Sequence, residues 1–96
     1  MYKYLEGFNW DNGNVDKSVK KHGVTPEEAE EVFIDRHLTE LEDPAHSITE
    51  KRSVVIGKTE KGSILSVVYT IRDSSVRVIS ARLASRKERL LYETKI

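Results

Sequence analysis

At 96 residues, with no cysteine, a hydrophobic share of 38% and 16 acids matched by 16 Lys and Arg, the chain describes one small, heavily charged domain over residues 1–96. The missing cysteines exclude disulfides and thiolate metal sites, and no apolar run approaches the ~20 residues of a membrane span. A secretory leader is not expected either, because Lys3, Glu6 and Asn9 interrupt the apolar residues between Tyr4 and Trp10, so the expected location is the cytoplasm. The zero balance hides an asymmetry: residues 1–48 hold 11 acids and 5 Lys or Arg, residues 49–96 hold 5 acids and 11 Lys or Arg. If the halves occupy different faces, the basic one suits nucleic acid or an acidic partner; if they interleave, the signal cancels.

In chain order, Tyr4 to Trp10 reads as an opening strand, with Phe8 and Trp10 at strand spacing, and Asp11-Asn12-Gly13-Asn14 reads as a turn. Asn14 then caps a helix whose stripe is Val15, Val19 and His22 and whose stop is Gly23. A second helix is marked by a capping box, Thr25 with Glu28, by Pro26 at its first position and by a Val24 to Ala29 staple; it is expected to end near Asp35. His37 to Glu42 is an edge-strand candidate, followed by a loop at Asp43 to Ser47. The period then becomes that of strands at Lys51 to Lys58, Ile64 to Arg72 and Val76 to Arg82, separated by turns at Thr59-Glu60-Lys61-Gly62 and Asp73-Ser74-Ser75. Strict alternation in the last strand puts Val76, Val78, Ser80 and Arg82 on one face. A second box, Ser85 with Glu88, opens a short final helix with Leu90 and Leu91 turned inward. The expected architecture is α+β: an antiparallel sheet of about four strands, two N-terminal helices over one face, and a C-terminal helix.

No metal motif is visible, since His22, His37 and His46 are scattered, and the five glycines form neither a P-loop nor a dinucleotide fingerprint. No cofactor or metal is expected. What remains is cations near element ends, four of the seven arginines falling between Val76 and Glu93. Cutting RNA without a metal requires a base for the ribose 2′-hydroxyl, cations against the charge building on phosphorus, and an acid for the leaving oxygen. Arginine suits the middle role through its planar fork, and Arg52, Arg82 and Arg86 are the candidates. Histidine suits proton transfer, and His22, beside Lys20 and Lys21, is the one flanked by cations. Each has a structural reading as well. A histidine is favoured at a helix C-terminus by the dipole alone, Arg82 can pair internally with Glu50 or Glu88, Arg86, Lys87 and Arg89 can be a solvated helix face, and Trp10 can be core rather than a base-stacking platform.

These residues, in this order and spacing, make the chain resemble the BrnT-type ribonuclease toxins of bacterial type II toxin-antitoxin modules. The marks are Phe8-Asn9-Trp10-Asp11, Lys21-His22-Gly23-Val24, and Glu28 with Ala29, Val32 and Phe33. Further along come Glu50-Lys51-Arg52, Ile56-Gly57, Ile79-Ser80-Ala81-Arg82, Glu88-Arg89 and Tyr92-Glu93. One departure is Ser18, where many such proteins carry asparagine. The resemblance implies a compact RelE-like fold, cleavage of RNA that slows translation, and neutralisation by a cognate antitoxin with a ribbon-helix-helix DNA-binding domain. It also implies assemblies, such as a heterotetramer, in which the antitoxin supplies the dimer contact and any DNA binding. Carried over by position, the catalytic set is Lys21, His22, Arg52 and Arg82; Arg86, Glu88 and Trp10 are substrate-binding candidates. The rival reading is a non-catalytic module, a degenerate toxin that binds antitoxin or RNA without cleaving it.

Overall fold

The computed structural model describes residues 7–42 and 51–94; Tyr4 and Leu5 of the expected first strand, the loop at 43–47 and Glu50 lie outside them. The elements run β1 (Phe8–Asn9), α1 (Asn12–His22), α2 (Pro26–Phe33), β2 (Thr39–Glu42), β3 (Ser53–Lys58), β4 (Ile64–Arg72), β5 (Ser75–Leu83) and α3 (Arg86–Glu93). Strands β3 to β5 form the expected antiparallel meander, and β2, the edge strand anticipated from His37 to Glu42, extends it by pairing antiparallel to β3. The sheet has five strands rather than about four and is mixed, in the order β1-β5-β4-β3-β2, because the two residues of β1 pair parallel to Val76 and Arg77 of β5.

Local chemistry sets the helix starts. Thr25 and Ser85 each accept from the backbone N–H three residues on, while Glu28 and Glu88 accept from the cap residue's own N–H, so both boxes form as read. In α1 the cap is Asp11, not Asn14: Asp11 accepts from the N–H groups of Gly13 and Asn14, and Asn14 closes the box from inside the helix. Each cap is worth ~1 kcal/mol. Gly23, at φ 68°, ends α1 in the left-handed conformation that costs a residue with a Cβ. Asp73 and Ser74 both take positive φ, 51° and 64°, and form the tight two-residue link that matches strand twist between β4 and β5.

The stripe expected on α1 is rotated. Its buried residues are Asn14 and Ser18, whereas Val19 and His22 are exposed and Val15 is half-buried. The cause is the position of α1 along β5, which past Arg77 has no strand on its outer side among the described residues. Carbonyl groups there need donors, and the Asn14 amide supplies two, to Asn9 O at 3.0 Å and Val78 O at 2.9 Å.

Helices α1 and α2 cover one face over a core of Val24, Ala29, Val32, Val55, Leu65, Val67, Tyr69, Val76, Val78 and Ala81. Phe8, Phe33 and Tyr69 meet edge to face at its rim, with centroids 5.2 and 5.1 Å apart. On the opposite face α3 seals a smaller cluster of Ile56, Ile64 and Tyr92. Leu90 faces solvent, against expectation, and Tyr92 takes the inward place.

Asp35, just past α2, ties these layers together. One oxygen accepts from the Tyr92 hydroxyl at 2.6 Å and the Lys58 N–H at 2.7 Å, the other from the His37 N–H at 3.0 Å. Burial raises the carboxyl pKa, but these donors outweigh it and hold the group below its usual range. Burial and the Asp35 charge together push the Tyr92 hydroxyl up to about 12. Beside them Gly57 is required sterically: a Cβ there would sit 2.8 Å from Val32 Cγ1 and 3.0 Å from the Val32 carbonyl oxygen.

Candidate active site

The face on which Arg82 projects is decided by a bulge. Opposite Val68 and Tyr69 of β4, β5 places Ser80 and Val78, so Ile79 is an extra residue that reverses the alternation. Val76, Val78 and Ala81 therefore face the helix-covered core, and Arg82, paired with Ser66, faces α3. The expectation that Arg82 shares a face with Val78 fails for that reason.

Arg82 meets Glu88 there in a two-pronged contact, Nη1 to Oε1 at 2.7 Å and Nη2 to Oε2 at 3.0 Å. Of the two partners anticipated in the sequence, Glu88 is therefore one in fact. The same carboxylate accepts from the Ser85 N–H at 2.8 Å and the Ser66 hydroxyl at 3.1 Å. Burial pushes the Glu88 pKa up, yet Arg82, the Ser85 N–H and Ser66 overcome it and pull the value down to about 2. The guanidinium is more firmly charged in turn, because the bond to Glu88 outweighs its desolvation.

Glu88 is thus a fixed anion at neutral pH and a poor proton acceptor, and its work is to orient Arg82. Arg82 keeps 43% of its side-chain surface. Three of the five guanidinium N–H groups serve Glu88 and the Leu83 carbonyl, which leaves two for a ligand such as phosphate. The local charge of the pair is zero, so attraction for an anion has to come from neighbouring cations.

Of those, Arg86 is exposed in the first turn of α3, and Arg52 is half-buried one residue before β3, where alternation with Val54 and Ile56 assigns it to the α3 face. Arg77 is committed elsewhere: it bonds Asn9 Oδ1 at 3.1 Å and pairs with Asp11 at 3.0 Å, and this bond is the main reason the Asp11 carboxyl lies below its usual range. Lys21 and His22 belong to the other layer, exposed at the C-terminal end of α1, and neither is a polar partner of Arg82. Trp10 is in that layer too, half-buried against the core with its indole nitrogen donating to Glu30 at 2.7 Å. The structure therefore joins Arg82 to Glu88, sets Arg86 and Arg52 on their side of the sheet, and keeps Lys21, His22 and Trp10 with the helices.

Ser66 escaped the sequence reading because a hydroxyl within the apolar run of β4 looks like a tolerated interruption; being buried, it needs a partner, and Glu88 is that partner. The two charge halves interleave along Lys61–Glu28 and Arg77–Asp11, which cancels much of their asymmetry. It survives on α3, where Arg86, Lys87 and Arg89 are exposed. Among the described residues no group of three or more His, Cys, Asp and Glu could hold a metal, and no helix is long and apolar enough to cross a membrane.

A family model described as ribonuclease toxin, BrnT, of type II toxin-antitoxin system matches residues 10–88, from Trp10 through Glu88. No curated protein matches the chain.

Proposed function

The chain belongs to the BrnT family of ribonuclease toxins of type II toxin-antitoxin systems, and from that membership we propose a metal-independent endoribonuclease that acts in the cytoplasm, slows translation and is silenced by a ribbon-helix-helix antitoxin. The observation that carries the chemistry is Arg82, a half-exposed guanidinium held rigid by both oxygens of Glu88 with two donors to spare. A cation oriented in advance stabilises charge as it develops on phosphorus without the cost of reorganising at that moment. Metal independence is supported by the donor set, because a site built from Arg82, Arg52, Arg86 and Lys21 repels a metal ion and itself supplies the positive charge.

In this reading the ribose 2′-hydroxyl attacks the adjacent phosphorus and the P–O5′ bond breaks, one of His22 and Lys21 accepting the hydroxyl proton and the other giving one to the leaving 5′-oxygen, so that the product ends in a 2′,3′-cyclic phosphate. Arg52, Arg82 and Arg86 hold the phosphate oxygens. Lys21 and His22 lie in the helical layer and Arg82 on the α3 side, so the scheme requires these side chains to close on one scissile phosphate, whose attacking hydroxyl lies only about 3 Å from phosphorus. Trp10 is too far committed to Glu30 and the core to lead this scheme, and serves as a secondary contact. The antitoxin carries any DNA binding and the dimer contact of a toxin-antitoxin heterotetramer.

Incubation of the purified protein with RNA in the presence of a chelator is expected to give fragments with cyclic phosphate ends, and Arg82→Ala to abolish them. Cleavage that requires an added divalent ion, or that Arg82→Ala leaves untouched, refutes the scheme. The neutral local charge of Arg82 with Glu88 favours one rival, a module that binds antitoxin or RNA without cutting. Expression of the chain alone separates the two, since a non-cleaving module leaves growth unaffected.

A further inference from the structure

We propose that the outward face of α3 and the adjoining end of β5 form the docking site for an acidic segment of the antitoxin that carries aliphatic anchor residues; this rests on the reading of the chain as a toxin with an antitoxin partner. Helix α3 has two faces. Glu88 and Tyr92 turn to the sheet, while Arg86, Arg89 and Leu90, three and four residues apart, share the outward side. Leu90 is 55% exposed on α3, and Leu83, at the end of β5, is 64% exposed.

Next to Leu83 lies a cleft of about 200 Å³ bordered by Gly62, Ser63, Ile64, Leu83, Ala84 and Arg89. It is smaller than the roughly 300–1,000 Å³ of a typical small-molecule site, and its lining combines the aliphatic residues Ile64, Leu83 and Ala84 with Ser63 and Arg89. That combination suits one apolar side chain flanked by a carboxylate. Arg86, Lys87 and Arg89 are exposed and take part in none of the ion pairs between described residues, so the charge of an incoming acidic segment meets cations not already answered.

RNA fits this corner less well. No aromatic ring lines the cleft to stack a base, and exposed leucines gain nothing from phosphate. Position also gives the contact a consequence. Arg86 lies on this face and is also one of the cations proposed to hold the phosphate, so a segment seated here competes with RNA for it.

The test uses the full chain and the antitoxin encoded with it, titrated against wild type, Arg89→Glu and Leu90→Ser, with circular dichroism to establish that both variants fold. Each variant is expected to bind antitoxin roughly 30-fold or more weakly, the scale of an anchor residue at a protein interface, while RNA cleavage by the antitoxin-free variants stays at the wild-type rate. Wild-type affinity in both variants would overturn the site and leave the toxin-antitoxin reading standing. Failure of the wild-type chain itself to bind would bring down that reading and the proposal together. Intact antitoxin affinity with lost RNA cleavage would reassign the face to RNA.

Discussion

The same four-residue device opens α2 and α3, yet the two copies do different work. In both, a hydroxyl caps the helix and a glutamate three residues on reaches back to the cap N–H, at 3.0 Å for Glu28 and 2.8 Å for Glu88. Both glutamates then take a cation from a strand or turn: Lys61 lies 2.6 Å from Glu28, and Arg82 2.7 Å from Glu88. The difference lies in the cation and its surroundings. Lys61 is 67% exposed and a single point charge, so its pair is a surface contact of small value. Arg82 engages both oxygens of Glu88, and buried Ser66 adds a further donor, so one box has become a mount for a guanidinium. A capping motif is thus legible locally, but whether its acid also serves a site depends on what the sheet brings beneath it.

The largest effect expected from this contrast is on activity. Arg82→Ala should lower RNA cleavage by about 10²- to 10³-fold, the usual cost of removing one transition-state donor, whereas Lys61→Ala should leave the rate as it is. Single-turnover cleavage of one RNA by both variants checks this, and equal losses would erase the distinction between the boxes.

Stability should separate them next. Glutamine can still close a capping box, so Glu88→Gln isolates the loss of charge opposite Arg82. With solvent screening at the half-exposed guanidinium allowed for, it should cost about 1–2 kcal/mol, and Glu28→Gln only a few tenths. Denaturant unfolding of the pair measures the gap. Acid sharpens the same comparison. Glu88 falls from the ordinary 4.5 to about 2 in the folded protein, so its contribution is complete above pH 4.5 and is lost as pH falls from there toward 2. Glu28 is lowered as well, through Lys61 first. The acid-unfolding profile of Glu88→Gln should therefore be flatter than wild type between pH 4.5 and 2, and that of Glu28→Gln close to wild type.

What could be read from the sequence follows the range of the interactions. Both boxes, the Gly23 stop, β4 and the β4–β5 turn were legible because each is settled within a few residues. The parallel pairing of β1 with β5 was not, since two residues carry no pattern. Nor was the face of Arg82, because the extra residue Ile79 answers to the β4 partner and leaves the alternation of β5 looking regular. On α1, valines at helical spacing suggested an apolar stripe, while the bare edge of β5 called for Asn14 instead. Ser18 is buried beside it with no partner for its hydroxyl among the described residues, a place where Ser18→Ala should be neutral or slightly stabilising. Of the site, Arg82 and its Glu88 partner were legible as charges that needed one another; Ser66 was not.

Ser66→Ala gives a small effect and the most specific one, since the hydroxyl that reaches Glu28 is that of the cap residue Thr25 itself, at 3.2 Å, and not one from a strand beneath the box. Removing it takes one donor from Glu88 Oε2, which keeps the bond to Arg82 Nη2 at 3.0 Å. Ser66 is almost fully buried, and alanine removes its only polar side-chain atom without leaving a new unpaired group on β4, so the loss should be about 0.5–1 kcal/mol. Because the Ser66 donor helps depress the Glu88 pKa, its removal raises that value and narrows the window below 4.5 over which the carboxylate stabilises the fold. The acid midpoint should accordingly move to higher pH by a fraction of a unit, with kcat for RNA falling less than in Arg82→Ala because the guanidinium stays in place. A fall in kcat as deep as that of Arg82→Ala would mean that the hydroxyl acts on the substrate directly, and that Glu88 is not the route by which β4 reaches the site.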